Sequence, residues 1–336
     1  MNQSAIEAAA RLLEAGALVA FPTETVYGLG ADAENPAAVA RIYQAKGRPA
    51  NHPLIVHLAP EAELRYWARA IPPAAGQLIA AFWPGPLTLI LKRAENIPDA
   101  VSGGQDSIGL RCPSHPVAQA LLRAFKGGQG GIAAPSANKF GHVSPTSAEH
   151  VRDEFGLGSM IDAILEGGRS EVGIESTILD LSRMDTLGPV LLRPGAISAA
   201  QIEQVIDRAP LAPDAAAPRA SGTLDAHYAP STPVALAPAD ECESLCAQLA
   251  AAGRRTALIH RFAAERDGPA AQARLPATAA GYAHDLYAAL RAMDNVGADL
   301  ILVAAPPEDS AWLGVNDRLR RSAFDSVGVL QRLLQK

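Results

Sequence analysis

The chain has 336 residues, is 49% apolar and 19% charged, and carries a formal net charge of −6. That length allows one large or two medium domains with sizeable cores, and the apolar share excludes a disordered chain. The acidic balance lacks the concentrated basic face of a nucleic-acid binder, so any contact with RNA would be local or made by a partner.

A capping-box spacing of Ser4 and Glu7 predicts a first helix, ended by Gly16. A short apolar strand, Ala17–Phe21, follows it. Asn35 and Pro36 read as N-cap and first helical residue of a helix running through Ile42 to Gly47. Strands are expected at Leu54–Leu58, Leu87–Leu91, Ser107–Arg111, Gly131–Ala134, Ile161–Leu165, Ser176–Leu181 and Val190–Arg193. A Thr146–Glu149 capping box predicts a helix among them. Adjacent strands with interspersed helices predict an α/β (α+β) fold with a twisted mixed sheet, over residues 1–208.

Residues 209–230 contain a Pro- and Ala-rich break that reads as a linker. Beyond it, over 231–336, strands and helices alternate: Val234–Ala237, Asp240–Ala251, Thr256–His260, Ala279–Met293, Leu300–Val303 and Asn316–Ala323. That order predicts a small Rossmann-like parallel α/β domain. Its first strand is not followed by Gly-x-Gly-x-x-Gly, so no dinucleotide is assigned. The basic segment from Asn316 to Arg321 reads as a solvated helix face. Of the three cysteines, Cys112, Cys242 and Cys246, the last two lie four apart and read as core residues rather than a metal pair. The start has no signal pattern and no apolar run reaches about 18 residues, which predicts a cytoplasmic protein without a membrane partner.

Five stretches carry chemistry. The first is FPTETVYGLG at 21–30, where hydroxyls crowd the exit of a buried strand and need partners or a ligand. The second runs from Lys46 and Arg48 to Asn51 and His52. Its cations suit either the helix dipole or a phosphate clamp. In the third, Arg111 ends an apolar strand and needs an anion, supplied by a ligand or by a structural acid. The fourth, Ala134-Pro-Ser136-Ala-Asn138 with Ser144 and Thr146, suits close backbone approach to a phosphate or carboxylate, or plain turn chemistry. In the fifth, Glu175-Ser176-Thr177 precedes Arg193, a second arginine ending an apolar strand. Together Lys46, Arg48, Arg111 and Arg193 imply a polyanionic ligand. No P-loop, nucleophile elbow or zinc motif is present.

In order and spacing these stretches resemble the YrdC-like domain of threonylcarbamoyl-AMP synthases. The matching segments are FPTETVYGLGA (21–31), AKGRP leading into PLIVHL (45–58), WPGPLTLIL (83–91), RCPSHP (111–116), APSAN with SPT (134–146), GIESTILD (173–180) and LLRPG (191–195). The rest is similar to the long, two-domain form, whose linker carries His-Tyr-Ala-Pro, here His227 to Pro230. The resemblance implies that L-threonine, bicarbonate and ATP give threonylcarbamoyl-AMP and pyrophosphate. A separate transferase complex then uses the product on tRNA, so tRNA binding here would be weak or indirect. It further implies that Thr25, His57, Arg111, the Ala134 backbone and Ser176 hold threonine. Arg48, Asn51 or His52, Ser107, Ser136, Ser144, Arg193 and Tyr228 would contact ATP, with Lys46 and Arg48 at its phosphates. Mg²⁺ is expected with the nucleotide, held mainly by phosphate oxygens and water rather than by a protein metal site. A non-catalytic RNA-binding module and a hydrogenase-maturation carbamoyltransferase are the competing readings. Net charge counts against the first, and the lack of acylphosphatase and zinc-finger segments against the second.

Overall fold

A computed structural model describes residues 2–156 and 160–335. The chain divides into two compact units, residues 1–140 with 145–223, and residues 141–144 with 224–336.

In the first unit ten described strands form one sheet. They are β1 (Val19–Phe21), β2 (Gly28–Asp32), β3 (Ile55–Leu58), β4 (Ala68–Arg69), β5 (Leu87–Arg93), β6 (Ser107–Arg111), β7 (Gly131–Ala133), β8 (Ala163–Ile164), β9 (Thr177–Asp180) and β10 (Val190–Arg193). Their order is β10-β9-β5-β6-β3-β7-β2-β1-β8, with β4 paired to β5. Three pairs, β3/β6, β5/β9 and β1/β8, are parallel and the remainder antiparallel, so the sheet is mixed as expected.

Side-chain alternation decides where the chemistry sits. Successive strand residues face opposite sides of a sheet. Val56 and Leu58 of β3, Leu87, Leu89 and Leu91 of β5, and Ile108 and Leu110 of β6 enter the main core. Their neighbours Ile55, His57, Thr88, Ile90, Ser107, Gly109 and Arg111 therefore face the other way, which makes one side of the sheet partly polar. A second cluster packs β1 through Val19 and Phe21 under the helices Gln3–Glu14 and Pro116–Ala124, using Ile6, Leu13, Leu121 and Phe125.

Asn35 caps the helix Pro36–Lys46 by accepting from the amides of Ala37 and Ala38, and Gly47 closes it in the left-handed region at φ 63°. The first helix is capped by Asn2, not Ser4; the Asn2 carboxamide reaches the Ala5 amide while the Ser4 hydroxyl bonds to Asn2. Likewise Ser147, not Thr146, caps the helix Ala148–Phe155, through the His150 amide. Strand β2 carries two glycines and no sequence signal. At Gly30 an added Cβ would stand 2.8 Å from Ile132 and 2.9 Å from Phe21, so the bare backbone admits both side chains.

The second unit holds β11 (Val234–Ala237), β12 (Thr256–His260), β13 (Ala271–Arg274) and β14 (Leu300–Ala304), all parallel, in the order β11-β14-β12-β13. Strand β13, Ala-Gln-Ala-Arg, and the last helix, Ser326–Leu334, were not foreseen. The basic segment departs from the expected solvated face. On the helix Leu313–Ser322, Arg318 and Arg321 are buried, and Asp317 pairs with Arg318 at 3.0 Å and Arg321 at 3.0 Å. Only Arg320 of the three arginines points to solvent. All three cysteines are buried and unpaired. No described helix is long and apolar enough to cross a membrane.

At Gly131 an added Cβ would lie 2.5 Å from both the Trp67 ring and Val56. Overpacking a core costs about 1–3 kcal/mol. Gly131→Ala is therefore expected to lower the unfolding free energy by about 2 kcal/mol in urea titrations; an unchanged midpoint would refute this account of β7.

Candidate active site

The loop from Pro22 to Val26 folds on itself. The Thr23 hydroxyl donates to the Val26 carbonyl at 2.6 Å, accepts from the Thr25 and Val26 amides, and lies 2.9 Å from the Thr25 hydroxyl. This turn places Thr25, fully buried, at the exit of β1. It also aims Glu24 inward. Glu24 Oε1 lies 2.8 Å from Arg111 Nη2, both side chains being at most 5% exposed. Thus the anion that Arg111 requires is a protein acid, one the sequence reading did not assign. Glu24 Oε2 also accepts from the Ser114 amide, and Arg111 Nε donates to the Gly85 carbonyl at 3.4 Å. The ion contact is out of line for a hydrogen bond, so Arg111 Nη2 retains donor capacity.

Beside Arg111, in register across β3 and β6, stands His57. Its ring meets Phe21 edge-on, with centroids 5.9 Å apart. Burial, aided by the Arg111 charge, pushes the His57 imidazole down to about 3, so the ring is neutral at physiological pH. Its Nδ1 is buried and has no hydrogen-bond partner, an atom that a ligand can satisfy. Ala134 follows β7, and its amide already donates to the Ile55 carbonyl at 2.9 Å. Its carbonyl is therefore the backbone group it has to offer.

Ser176 immediately precedes β9. Its hydroxyl sits 2.8 Å from that of Thr88 and accepts from Arg193 Nη2 at 3.2 Å. Arg193 also grips the Ser176 carbonyl through Nε at 3.0 Å and Nη2 at 2.9 Å. A register shift between Leu191 and Arg193 sets Arg193 opposite Ile178 and turns it to this face.

The second stretch supplies two more buried cations. Lys46 Nζ donates to the carbonyls of Ser136 at 2.6 Å and Asn138 at 2.5 Å, bracing the 134–138 loop. Burial, then the nearby Arg48 charge, holds its ammonium well below the usual lysine range. Arg48 Nη2 donates to the Pro53 carbonyl at 2.9 Å, and its guanidinium lies over the Phe140 ring at 5.9 Å. The His52 ring meets Phe140 edge-on at 5.4 Å, and burial and the charges of Arg48 and Arg219 lower its pKa. Asn51, by contrast, is exposed. Ser107 opens β6, buried on the polar face.

The remaining two candidates, Ser144 and Tyr228, belong to the second unit. Tyr228 adopts φ 60° there, lies under the Arg318 guanidinium at 5.6 Å and has the Tyr287 ring 5.7 Å away. The Ser322 hydroxyl holds its carbonyl at 2.8 Å. Among the described residues no three His, Cys, Asp or Glu side chains converge as metal ligands.

The polar face thus collects Thr25, His57, Arg111 and Ser176 on one side, with Arg48 and Arg193 nearby. A family model described as telomere recombination matches residues 11–195, and one described as threonylcarbamoyl-AMP synthase, C-terminal domain, matches 197–324. The threonylcarbamoyl-AMP synthase of Pyrococcus abyssi is 40% identical over 331 residues, covering 95% of this chain and 94% of its own. This chain belongs to the threonylcarbamoyl-AMP synthase family. The Bacillus subtilis member is 39% identical, with 97% of this chain and 95% of the relative covered. A crystal structure of the P. abyssi member, Sua5, complexed with L-threonine superposes with a TM-score of 0.89 at 39% identity, covering 97% of this chain and 96% of that one. Both units of this family member are therefore accounted for by relatives of similar length.

Two predictions come from the site. Removing one partner of a buried ion pair costs about 3–5 kcal/mol. Glu24→Gln should lower stability on that scale, with much of the loss recovered in the Glu24→Gln, Arg111→Met double variant; independent, additive effects would contradict the pairing. The His57 pKa is depressed on folding, so the unfolded chain binds the extra proton first. The stability this histidine contributes is complete above about pH 6.5 and is lost as pH falls towards about 3. His57→Gln should flatten the decline of urea midpoints between pH 6.5 and 4, whereas parallel curves for the two proteins would exclude a buried neutral His57.

Proposed function

We propose that the polar face of the first sheet forms threonylcarbamoyl-AMP from L-threonine, bicarbonate and ATP. The observation that carries this reading is the side-by-side placement of Arg111, held by Glu24, and the neutral, unsatisfied His57 in register with it. A guanidinium with a spare N–H suits the threonine carboxylate. His57 offers a hydrogen bond to the amine or hydroxyl, and Thr25, the Ala134 carbonyl and the Ser176 hydroxyl complete the pocket. With a pKa near 3, His57 is a hydrogen-bonding partner and not a general base.

ATP lies towards Arg48, Arg193, Ser107 and Ser136, with Lys46 near the phosphates. Of the clamp-loop pair, His52 is the better nucleotide contact, since its ring shares Phe140 with Arg48 while Asn51 faces outward. Ser144 and Tyr228 are assigned to ATP on the family resemblance. Mg²⁺ enters with ATP and is carried by phosphate oxygens and water; when bound it offsets phosphate charge.

In the reaction, the threonine amine adds to bicarbonate and water leaves, giving a carbamate. A carbamate oxygen then attacks the α-phosphorus, pyrophosphate departs, and threonylcarbamoyl-AMP remains. Arg48, Arg193 and Lys46 stabilise the charge that shifts onto the leaving phosphates, and the rest is positioning. A buried ammonium that is costly to keep charged gains most when a polyphosphate arrives, so Lys46 favours the nucleotide-bound state. The net charge of −6 supports transfer of a small product to a separate tRNA-modifying complex over tight tRNA binding here.

Pyrophosphate release should depend on L-threonine, with L-serine as the control. Arg111→Ala should reduce kcat/KM for threonine by about a hundredfold or more, as expected for a lost charge-assisted pair at a carboxylate. Release indifferent to threonine, in folded and Mg²⁺-replete protein, would overturn the assignment.

A further inference from the structure

The Pro- and Ala-rich stretch read as a linker begins as a strap fixed to the first unit. Leu211 pairs with Val190 of β10, and the Asp214 carboxylate takes Arg183 Nη1 at 2.9 and 3.0 Å. Ala220 is buried against Ile90, Ile178, Val190 and Leu192. The Gln105 carboxamide reads the Arg219 backbone in both directions, accepting from its amide at 2.7 Å and donating to its carbonyl at 3.1 Å. Arg219 adds a side-chain bond to the Gly103 carbonyl at 3.0 Å. The next residue but one, Ser221, is thereby delivered to a defined place on the polar face.

At that place Ser221 touches two of the cations assigned to ATP. Its carbonyl accepts from Arg193 Nη1 at 2.8 Å. Its hydroxyl lies 3.5 Å from Nη1 and 3.4 Å from Nη2 of Arg48. Ser221 and Ser107 also line the same cavity of about 10 Å³, room for roughly one water. Two guanidiniums brought together repel, and an acceptor set between them lowers that cost while fixing their planes.

We propose that Ser221 is a positioning residue for the nucleotide, joining Arg48 and Arg193 so that both guanidiniums converge on one polyphosphate. Nothing in the sequence marks it, because its two partners lie 173 and 28 residues away. The inference rests on the reading of Arg48 and Arg193 as ATP contacts. It assigns the strap to the nucleotide half of the site, through Gln105, rather than to a flexible connection.

The test is steady-state pyrophosphate release by the full chain carrying Ser221→Ala, Ser221→Thr, Arg48→Ala and the Ser221→Ala, Arg48→Ala pair, each checked by thermal melting. Long hydrogen bonds to a charged group are worth roughly three- to tenfold. Ser221→Ala should raise KM for ATP by about that factor with KM for threonine and the melting temperature unchanged. Ser221→Thr should restore it, and Ser221→Ala should have little further effect once Arg48 is gone. An unchanged KM for ATP in Ser221→Ala, beside a raised one in Arg48→Ala, would overturn the role of Ser221 and leave that of Arg48 standing. A parallel rise in both KM values, or a lowered melting temperature, would mark a structural role and also overturn it. If Arg48→Ala itself leaves KM for ATP unchanged, the reading of Arg48 falls first and the inference with it.

Discussion

The contact between Glu24 and Arg111 anchors the polar face at the loop after β1 and the end of β6. An arginine ending a central strand, buried to this degree, needs a counter-charge to offset its lost hydration. Glu24 supplies it from the loop after β1, and in doing so joins β1 and β6, which have β3, β7 and β2 between them. The Thr23 turn is the local cause, since its hydroxyl closes the loop tightly enough to send Glu24 inward. The first polar loop and the end of β6 are thereby brought together at the pocket proposed for threonine.

The other buried cations of this face carry several backbone contacts. Lys46, Arg48 and Arg193 are met by carbonyls of Ser136, Asn138, Pro53, Ser176 and Ser221. Carbonyl oxygens stabilise a cation without cancelling its charge. These carbonyls fix the direction of each cationic head group on the part of the face proposed for the nucleotide.

Much of this was legible in the sequence. Strands β3, β5, β6, β9 and β10 were visible because their apolar residues alternate or run continuously, and the Asn35-Pro36 start was visible because capping is local. Strand β2 was not, since its glycines are explained only by Phe21 and Ile132 packing above them. The burial of Arg318 and Arg321 was hidden for a similar reason: the residues that cover them, Tyr228 and the backbone from Leu224, are about ninety positions away. At the site, strand ends pointed to Arg111 and Arg193, while the family resemblance supplied His57 and Ser176. Which acid faces Arg111, and which hydroxyl faces Ser176, depended on pairings across the sheet that no short motif encodes.

Ser176 has a place in both halves of the site. Its hydroxyl belongs to the pocket assigned to threonine, while its carbonyl and hydroxyl hold Arg193, assigned to ATP. Two ligands that share a supporting residue in this way are thermodynamically linked. Any adjustment of Ser176 on filling one pocket changes the geometry, and so the free energy, of the other. Linkage is reciprocal, so the factor by which threonine alters the affinity for ATP is the factor by which ATP alters the affinity for threonine. An adenylating enzyme built this way couples its two substrates through a single serine.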